Sequence, residues 1–301
     1  MTSSRLAETG ARACTGVALV GVLWLLALLA LIGLNVSASS RIELQLTANL
    51  KQAAAARHAA DAGINWAIWS LLQTGTAGWL ADGSEREFEL DGMTIRIALF
   101  DEQGKIDLNE AGPELLLGLL LAVEVEEDRA LALSEAIQDW RDEDDERRPK
   151  GAEADDYLAL GLKGPGNRPF ERLAELRRVL GMNDELYDRL APTLTLLSNK
   201  AEVNPLLAPP QVLRALPGLS EDRIEQYVAE RRRNYAEGAP PPPLGEVDAN
   251  LLSLTSAGFN YAVDIEVMAN AQSLSRQRVW LSRRGQGLAA GFRVQHSMPE
   301  Q

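Results

Sequence analysis

A nearly unbroken apolar run close to the amino terminus constrains this chain more than any other feature. The run opens at Val17, directly after Gly16, and continues to about Val36. About 20 apolar residues, each rising about 1.5 Å in a helix, match a hydrocarbon core of about 30 Å. A secretory signal peptide would have a shorter apolar core followed by a small-residue cleavage site. The pattern therefore favours a short leader that is removed and an apolar helix that stays in a membrane.

Charge around this run predicts its orientation. Arg5 and Arg12 precede the run, so the positive-inside rule places the amino end in the cytoplasm and everything after Val36 in the periplasm. Cys14 is the only cysteine and precedes the expected cut, so the processed protein would form no disulfide. The net charge of −13 argues against a nucleic-acid partner, because phosphate contacts need concentrated positive charge.

Beyond the apolar run, strand patterns flank a largely helical stretch. No proline occurs between residues 17 and 72, which predicts one long helix. A hairpin is predicted around Asp91-Gly92, and further alternating segments occur at 261–268, 277–282 and 291–295. Residues from about 108 to 235 have mainly helical patterns. The arrangement indicates an α+β fold with a helical insertion inside one small sheet domain.

The helical stretch contains a weak internal repeat. Residues 111–116 resemble residues 208–213, and each segment leads to an acidic helix start, which predicts two helix-turn-helix units. The turn at 216–220 also resembles a helix-hairpin-helix module, whose backbone amides can bind phosphate. The structural alternative is that Gly218 permits a tight turn and Ser220 caps the next helix.

Carboxylates are densest at residues 139–146 and 153–156, on either side of Pro149-Lys-Gly151. Hard cations such as Ca²⁺ are bound by six to eight oxygens, commonly on loops bent by glycine or proline. The spacing is not that of an EF-hand, and a run of charges is more often a solvated surface. The residues alone leave both interpretations open.

Enzymatic patterns are not apparent. His58 and His296 lie far apart without metal-ligand spacing, and we find no nucleophile elbow, P-loop or dinucleotide-binding motif. Paired carboxylates could in principle cleave glycosides, but no aromatic-rich pattern accompanies them. We therefore expect a protein without catalytic activity.

An ordered series of motifs resembles the type IV pilin-like family, specifically the K-type minor pseudopilins of type II secretion systems. The motifs are Gly16–Leu19 with Val22–Trp24, Asp101–Asn109, Ile137–Trp140 with Asp142 and Asp144, Gly151–Glu153, Asn167–Phe170 with Glu175 and Leu176, Gly181-Met182, and Asn204 with Leu216–Leu219.

The resemblance implies a type IV pilin-like fold, with a long amino-terminal helix on a small antiparallel sheet and a large all-α insertion domain. The expected segments are a prepilin leader (1–16), the transmembrane and pilin helix (17–80), the first strands (85–103), the helical insertion (104–240) and the remaining strands (245–301). Prepilin peptidase would cleave between Gly16 and Val17, after which the new amino terminus would be methylated. Gly21 occupies the fifth mature position, where most pseudopilin precursors have glutamate, and K-type proteins share this absence. A subunit at the tip has no neighbour above it whose positively charged amino terminus would need a carboxylate to neutralise it.

Function, partners and cofactor follow from the same resemblance. It implies a subunit at the tip of the pseudopilus that initiates or caps assembly and supports export from the periplasm across the outer membrane. The implied partners are the I- and J-type minor pseudopilins, the major pseudopilus subunit, prepilin peptidase and the inner membrane, without nucleic acid. It also implies a structural Ca²⁺ in the acidic loop, for which the candidate ligands are Asp142, Asp144, Glu153, Asp155 and Asp156. The alternative function is a membrane-anchored helix-hairpin-helix protein that binds DNA, as in competence systems.

Overall fold

The computed structural model describes residues 15–73, 75–254, 258–284 and 291–296. The chain divides into two compact units, Met1–Ala55 and Ala56–Gln301. Seven helices and seven strands are named here in chain order: α1 (Thr15–Leu72), β1 (Asp82–Leu90), β2 (Met93–Asp101), β3 (Ile106–Asp107), α2 (Pro113–Ala122), α3 (Glu127–Arg141), α4 (Ala154–Ala159), α5 (Asp184–Leu190), β4 (Leu194–Thr195), α6 (Pro210–Leu213), α7 (Glu221–Glu237), β5 (Asn260–Ala269), β6 (Gln272–Arg284) and β7 (Gly291–Gln295).

The first unit contains the amino-terminal part of α1. The large apolar side chains from Leu19 to Leu34 are at least half exposed. Among the residues that the structure describes, no helix is both long enough and apolar enough to cross a membrane. The predicted leader lies outside the described residues up to position 14, and so do the side chains at 15–18 and 35–42.

In the second unit, the last turns of α1 pack on the sheet. Ala56, Ala59, Ala60 and Ala67 of α1 are almost completely buried. At Gly63, an added Cβ would lie 3.2–3.4 Å from the isoleucine side chains of the central strands, so helix and sheet approach closely. The helix ends at Leu72, before the limit of 80 in the predicted segment, and a short 3₁₀ turn follows at Gly75–Ala77.

The sheet has five antiparallel strands in the order β1-β2-β5-β6-β7. The hairpin prediction is confirmed, since Asp91 and Gly92 join β1 to β2 with φ of 51° and 76°, as a type I′ turn needs. The three later strand predictions also match β5, β6 and β7. However, β1 begins at Asp82 rather than at 85, because the sequence Asp82-Gly-Ser resembles a turn but continues the strand through an irregularity before Glu85.

Residues 102–259 form an inserted block between β2 and β5. The two predicted helix-turn-helix units correspond to α2–α3 and α6–α7, although α6 has only four residues. The expectation of mainly helical structure was too strong, because residues 142–153, 160–172 and 196–209 contain little regular structure. A short parallel pairing of β3 with β4 was also missed, since two-residue strands leave no periodic pattern. In the described part of the block, a buried apolar cluster surrounds Leu115, Leu133 and Trp140.

Buried polar residues fasten this block to the sheet. Asp82 on β1 accepts hydrogen bonds from Arg231 and Arg232 of α7, both at 2.8 Å, and both Asp82 and Arg231 are almost fully buried. Burial opposes ionisation of Asp82, but the two guanidinium groups hold its pKa below the ordinary value. At the other junction, the carboxylate of Asp101 accepts hydrogen bonds from the backbone amides of Gln103 and Gly258. The block is therefore attached to the start of β1 through α7, and a second contact joins the end of β2 to Gly258, just before β5.

Candidate functional site

The acidic loop begins where α3 ends. Glu126 caps the start of this helix by accepting hydrogen bonds from the amides of Asp128 and Arg129. The apolar face of α3 enters the core through Leu133, Ile137 and Trp140, and the helix ends at Arg141. This packing carries Asp139, between Ile137 and Trp140, to a fully buried position. A carboxylate so placed needs a partner, because an isolated buried charge is strongly unfavourable.

Arg148 supplies that partner from the far side of the loop. Its Nη1 lies 2.5 Å from a carboxylate oxygen of Asp139 and 2.5 Å from one of Asp142. A Cβ on Gly151 would lie 1.9 Å from the Asp139 Oδ2, so glycine is needed where the returning loop passes this carboxylate. Arg148 and Gly151 thus fold the loop back over the end of α3.

Glu153 is a buried carboxylate of the loop with little compensation for its charge. It is 6% exposed, and neither carboxylate oxygen has a hydrogen-bond partner among the described residues. Burial, followed by the negative charges of Asp139, Asp142, Asp145 and Asp144, raises its pKa to about 7. The electrostatic potential at Glu153 therefore favours a cation or a proton.

The other predicted ligands differ in their surroundings. Asp142 has one oxygen bonded to Arg148 and one buried oxygen, Oδ1, without a partner in the described part of the chain. Asp144 is exposed and accepts a hydrogen bond from the amide of Glu146. Asp155 is exposed in the first turn of α4. Asp156 is engaged at the start of that helix, where it accepts hydrogen bonds from the amide of Glu153 and from Arg147.

Two residues of this site were not selected from the sequence. Arg148 was missed because a cation in an acidic stretch gives no signal of which carboxylates it pairs with. Asn167 donates hydrogen bonds to the backbone of Asp144 and the side chain of Asp145, and its buried Oδ1 has no partner among the described residues. It lies within a motif that was noted at 167–170, but the sequence did not connect that motif with the acidic loop.

The loop contains several oxygen atoms of the kinds that bind a hard cation. Within the described ranges, no three His, Cys, Asp or Glu side chains form a group that could hold a metal ion. Buried oxygens without hydrogen-bond partners nevertheless occur on Glu153, Asp142 and Asn167. Carboxylate and amide oxygens are the donors that Ca²⁺ prefers, so the donor chemistry fits that ion.

The predicted processing site lies near the start of α1. Gly16 and Val17 lie within the helical backbone of α1, and their side chains are outside the described residues. Both histidines are exposed, one on α1 and one after β7.

The turn before α7 has the features of a tight turn with a helix cap, which was the structural alternative to a helix-hairpin-helix module. Gly218 has φ of 84°, which a residue with a side chain rarely adopts, and the Ser220 hydroxyl accepts a hydrogen bond from the amide of Arg223. Glu221 and Asp222 occupy the first turn of α7, where their charges would repel a phosphate. The geometry therefore favours a capped turn over a DNA-binding module.

Comparisons with known proteins agree with one another. Residues 95–199 match the family model described as type II secretion system (T2SS), protein K. The type II secretion system protein K of Dickeya chrysanthemi is 33% identical over 38% of this chain and 31% of its own length. The Aeromonas hydrophila protein K is 28% identical over 72% of this chain and 74% of its own length.

A solved structure shares the fold. It is a chain in the GspK-GspI-GspJ complex of the type 2 secretion system from enterotoxigenic Escherichia coli, with a TM-score of 0.51 and 20% identity. The similarity covers 84% of this chain and 98% of that chain. The family model and the curated relatives agree with each other: over the matched residues, this chain is similar to protein K of type II secretion systems, and the solved structure shows that the fold is shared.

Proposed function

We propose that this protein is a minor pseudopilin that lies at the tip of a type II secretion pseudopilus and initiates or caps its assembly. The observation that carries the proposal is the block of residues 102–259, inserted between two neighbouring strands of a five-stranded antiparallel sheet. A fibre repeats one small subunit at close intervals, and an insertion larger than the sheet itself leaves little room for such repetition. A subunit of this shape is better suited to the end of a fibre than to its shaft. We expect no catalytic role.

The proposed partners are pseudopilins of the I and J types. The related solved chain belongs to a GspK-GspI-GspJ complex, and this chain has the same fold. We infer an equivalent complex here, joined to the major pseudopilus subunit below it. Prepilin peptidase would be an earlier partner.

Processing and membrane insertion are inferred from the sequence. Cleavage between Gly16 and Val17, followed by methylation, would leave an apolar helix with a glycine at position 21. An unpaired carboxylate at that depth in lipid would cost several kcal/mol, and a tip subunit would gain no compensating contact from it. The proposed location is the bacterial inner membrane, with one crossing, a cytoplasmic amino end and a periplasmic main body.

A structural Ca²⁺ is part of the proposal. Glu153, Asp142 and the Asn167 amide oxygen supply buried oxygens, and Asp144 lies close enough to raise the pKa of Glu153. Asp155 and Asp156 are less suited, because one is exposed and the other is already bonded at the start of α4. A bound Ca²⁺ would neutralise the excess negative charge. The chain's own residues hold the loop: Arg148 clamps Asp139 and Asp142, while Asn167 secures the backbone of Asp144.

Secretion by a host strain tests the function. A strain that lacks its own copy of this gene should accumulate exported enzymes in the periplasm, and the wild-type gene should restore their release. Gly16→Ala should leave a full-length precursor in the membrane and fail to restore release, whereas Gly10→Ala in the leader serves as the control and should be processed. Normal secretion without the gene would contradict the proposed function, and normal cleavage of Gly16→Ala would contradict the processing site.

A further inference from the structure

The end of α4 and the tight turn that follows it expose three leucines to solvent. Leu158, Leu160 and Leu162 are 74%, 64% and 51% exposed. The backbone amides of Leu160 and Leu162 both donate hydrogen bonds to the carbonyl of Tyr157, so the turn is compact and ordered. Single exposed leucines are common on protein surfaces, but three within five residues of one turn are a concentrated apolar feature.

A basic cleft adjoins this turn. Leu162 and Lys163 line it together with Arg177, Arg178 and Met182, and its volume is about 570 Å³. Val179, Leu180 and Gly181 complete its lining. The cleft thus combines apolar lining residues with three cationic side chains, in a chain whose net charge is −13.

Two of the three cations lack a carboxylate partner within the described residues. Lys163 is exposed and forms no ion pair there, and Arg178 contacts the face of the Trp140 ring at 5.2 Å rather than an acid. Arg177 differs, because it pairs with Asp184 and Asp188. Lys163 and Arg178 are therefore free to pair with acidic groups from another molecule.

One buried contact holds the turn and the cleft together. The hydroxyl of Tyr157 accepts a hydrogen bond of 2.9 Å from the amide of Leu180. Tyr157 itself is fully buried, with its ring against Trp140. The leucine turn and the basic cleft thus form one surface with a fixed relative position.

We propose that this surface, the leucine turn of residues 158–162 with the cleft beside it, docks an acidic amphipathic helix of a partner protein. The leucine side chains and the apolar residues that line the cleft would contact the apolar face of that helix, while Lys163 and Arg178 would pair with its Asp or Glu residues. Charge complementarity supports this occupant, because the cleft is positive on a strongly negative protein and would repel a basic segment.

The test measures binding of two fluorescent model peptides to the full chain in lipid nanodiscs. Both peptides have about 15 residues, the length at which an isolated helix begins to form. One places glutamate beside a leucine face, and its counterpart replaces every glutamate with lysine. The proposal predicts that the glutamate peptide binds at least about tenfold more tightly and that its affinity falls as salt screens the charges. Equal affinity of the two peptides would overturn it.

Variants locate the binding surface. The double variant Lys163→Glu/Arg178→Glu should weaken binding of the glutamate peptide by about tenfold or more, and Leu158→Ser/Leu160→Ser should weaken it as well. The single variant Lys163→Glu should fold normally, since this side chain makes no ion pair within the described residues, and it therefore separates a loss of binding from a loss of folding. Arg293→Glu on β7 and Leu121→Ser on α2 are matched controls at exposed positions elsewhere and should bind as the wild type does. Unchanged binding in the cleft and leucine variants, or equal losses in the controls, would overturn the proposal.

Discussion

Replacing Asp82 with alanine tests how the inserted block is attached to the sheet. The Asp82 carboxylate accepts hydrogen bonds from Arg231 Nη2 and Arg232 Nε at 2.8 Å, and from the amide of Ser84 at 3.0 Å. Without it, the fully buried Arg231 keeps only its bonds to the carbonyls of Pro205 and Ala208. Its charge then has no carboxylate partner in the described part of the chain.

The expected loss follows from the burial of the two partners. Removing one member of a buried ion pair costs about 3–5 kcal/mol, because the other charge remains desolvated. This is at least about a fifth of the stability of a typical domain, which is about 5–15 kcal/mol. Arg232 has a side chain that is 43% exposed, so water can replace its lost contact. We therefore expect Asp82→Ala to cost about 3–5 kcal/mol and Arg232→Ala less than about 1 kcal/mol.

Urea titration of the detergent-solubilised chain at pH 7, followed by tryptophan fluorescence, measures these losses. A double-mutant cycle with Arg231→Met isolates the pair, since the double variant removes both buried charges and should lose less than the sum of the single losses. Because the pKa of Asp82 is lowered in the folded state, its contribution should persist above about pH 4 and disappear as the pH falls further. A loss below about 1 kcal/mol for Asp82→Ala, or additive single losses, would refute the reasoning.

Three further predictions concern other parts of the molecule. Burial raises the pKa of Asp101 to about 6, so the folded protein binds this proton more tightly than the unfolded chain. Lowering the pH from 7 to 4 should therefore stabilise the fold by up to about 3 kcal/mol through this group. Urea titrations at several pH values should show that Asp101→Asn removes this increase in stability. Gly118→Ala would place a Cβ 2.1 Å from the carbonyl oxygen of Ala215. Its free energy of unfolding, measured by urea titration, should therefore fall by about 1–3 kcal/mol. The control variant Leu121→Ala, on the exposed side of α2, should lose less. Calcium at about 100 times its dissociation constant should stabilise the wild type by about 2.7 kcal/mol in thermal melts; Glu153→Gln should lose this gain and the exposed control Asp222→Asn should keep it.

The parts of the fold that were predictable have local causes. The turn at Asp91-Gly92 was visible because type I′ geometry requires two residues that tolerate positive φ. The start of α7 was visible because Ser220 and the acidic residues after it form a typical amino-terminal cap. These features depend on neighbours within a few residues, so a sequence pattern can reveal them.

The candidate site was only partly predictable because its contacts are distant in sequence or depend on burial. The acidic stretch was evident, but nothing local indicated that Glu153 is buried while Asp155, two positions later, is exposed. The pairing of Arg148 with Asp139 depends on a loop that reverses direction near Gly151. The link between Asn167 and Asp145 joins two irregular segments that have no periodic pattern. Such contacts emerge only when the whole block is packed.

Purification of a complex tests the proposed tip assignment most directly. The full-length chain would be co-expressed with the I- and J-type pseudopilins and the prepilin peptidase of the same bacterium, extracted in detergent and isolated through a tag on this chain alone. The proposed function predicts a stable complex with one copy of each of the three pseudopilins, measured by size-exclusion chromatography with mass determination. Recovery of this chain without either partner, or of assemblies in which it repeats along a fibre, would contradict its assignment to the tip.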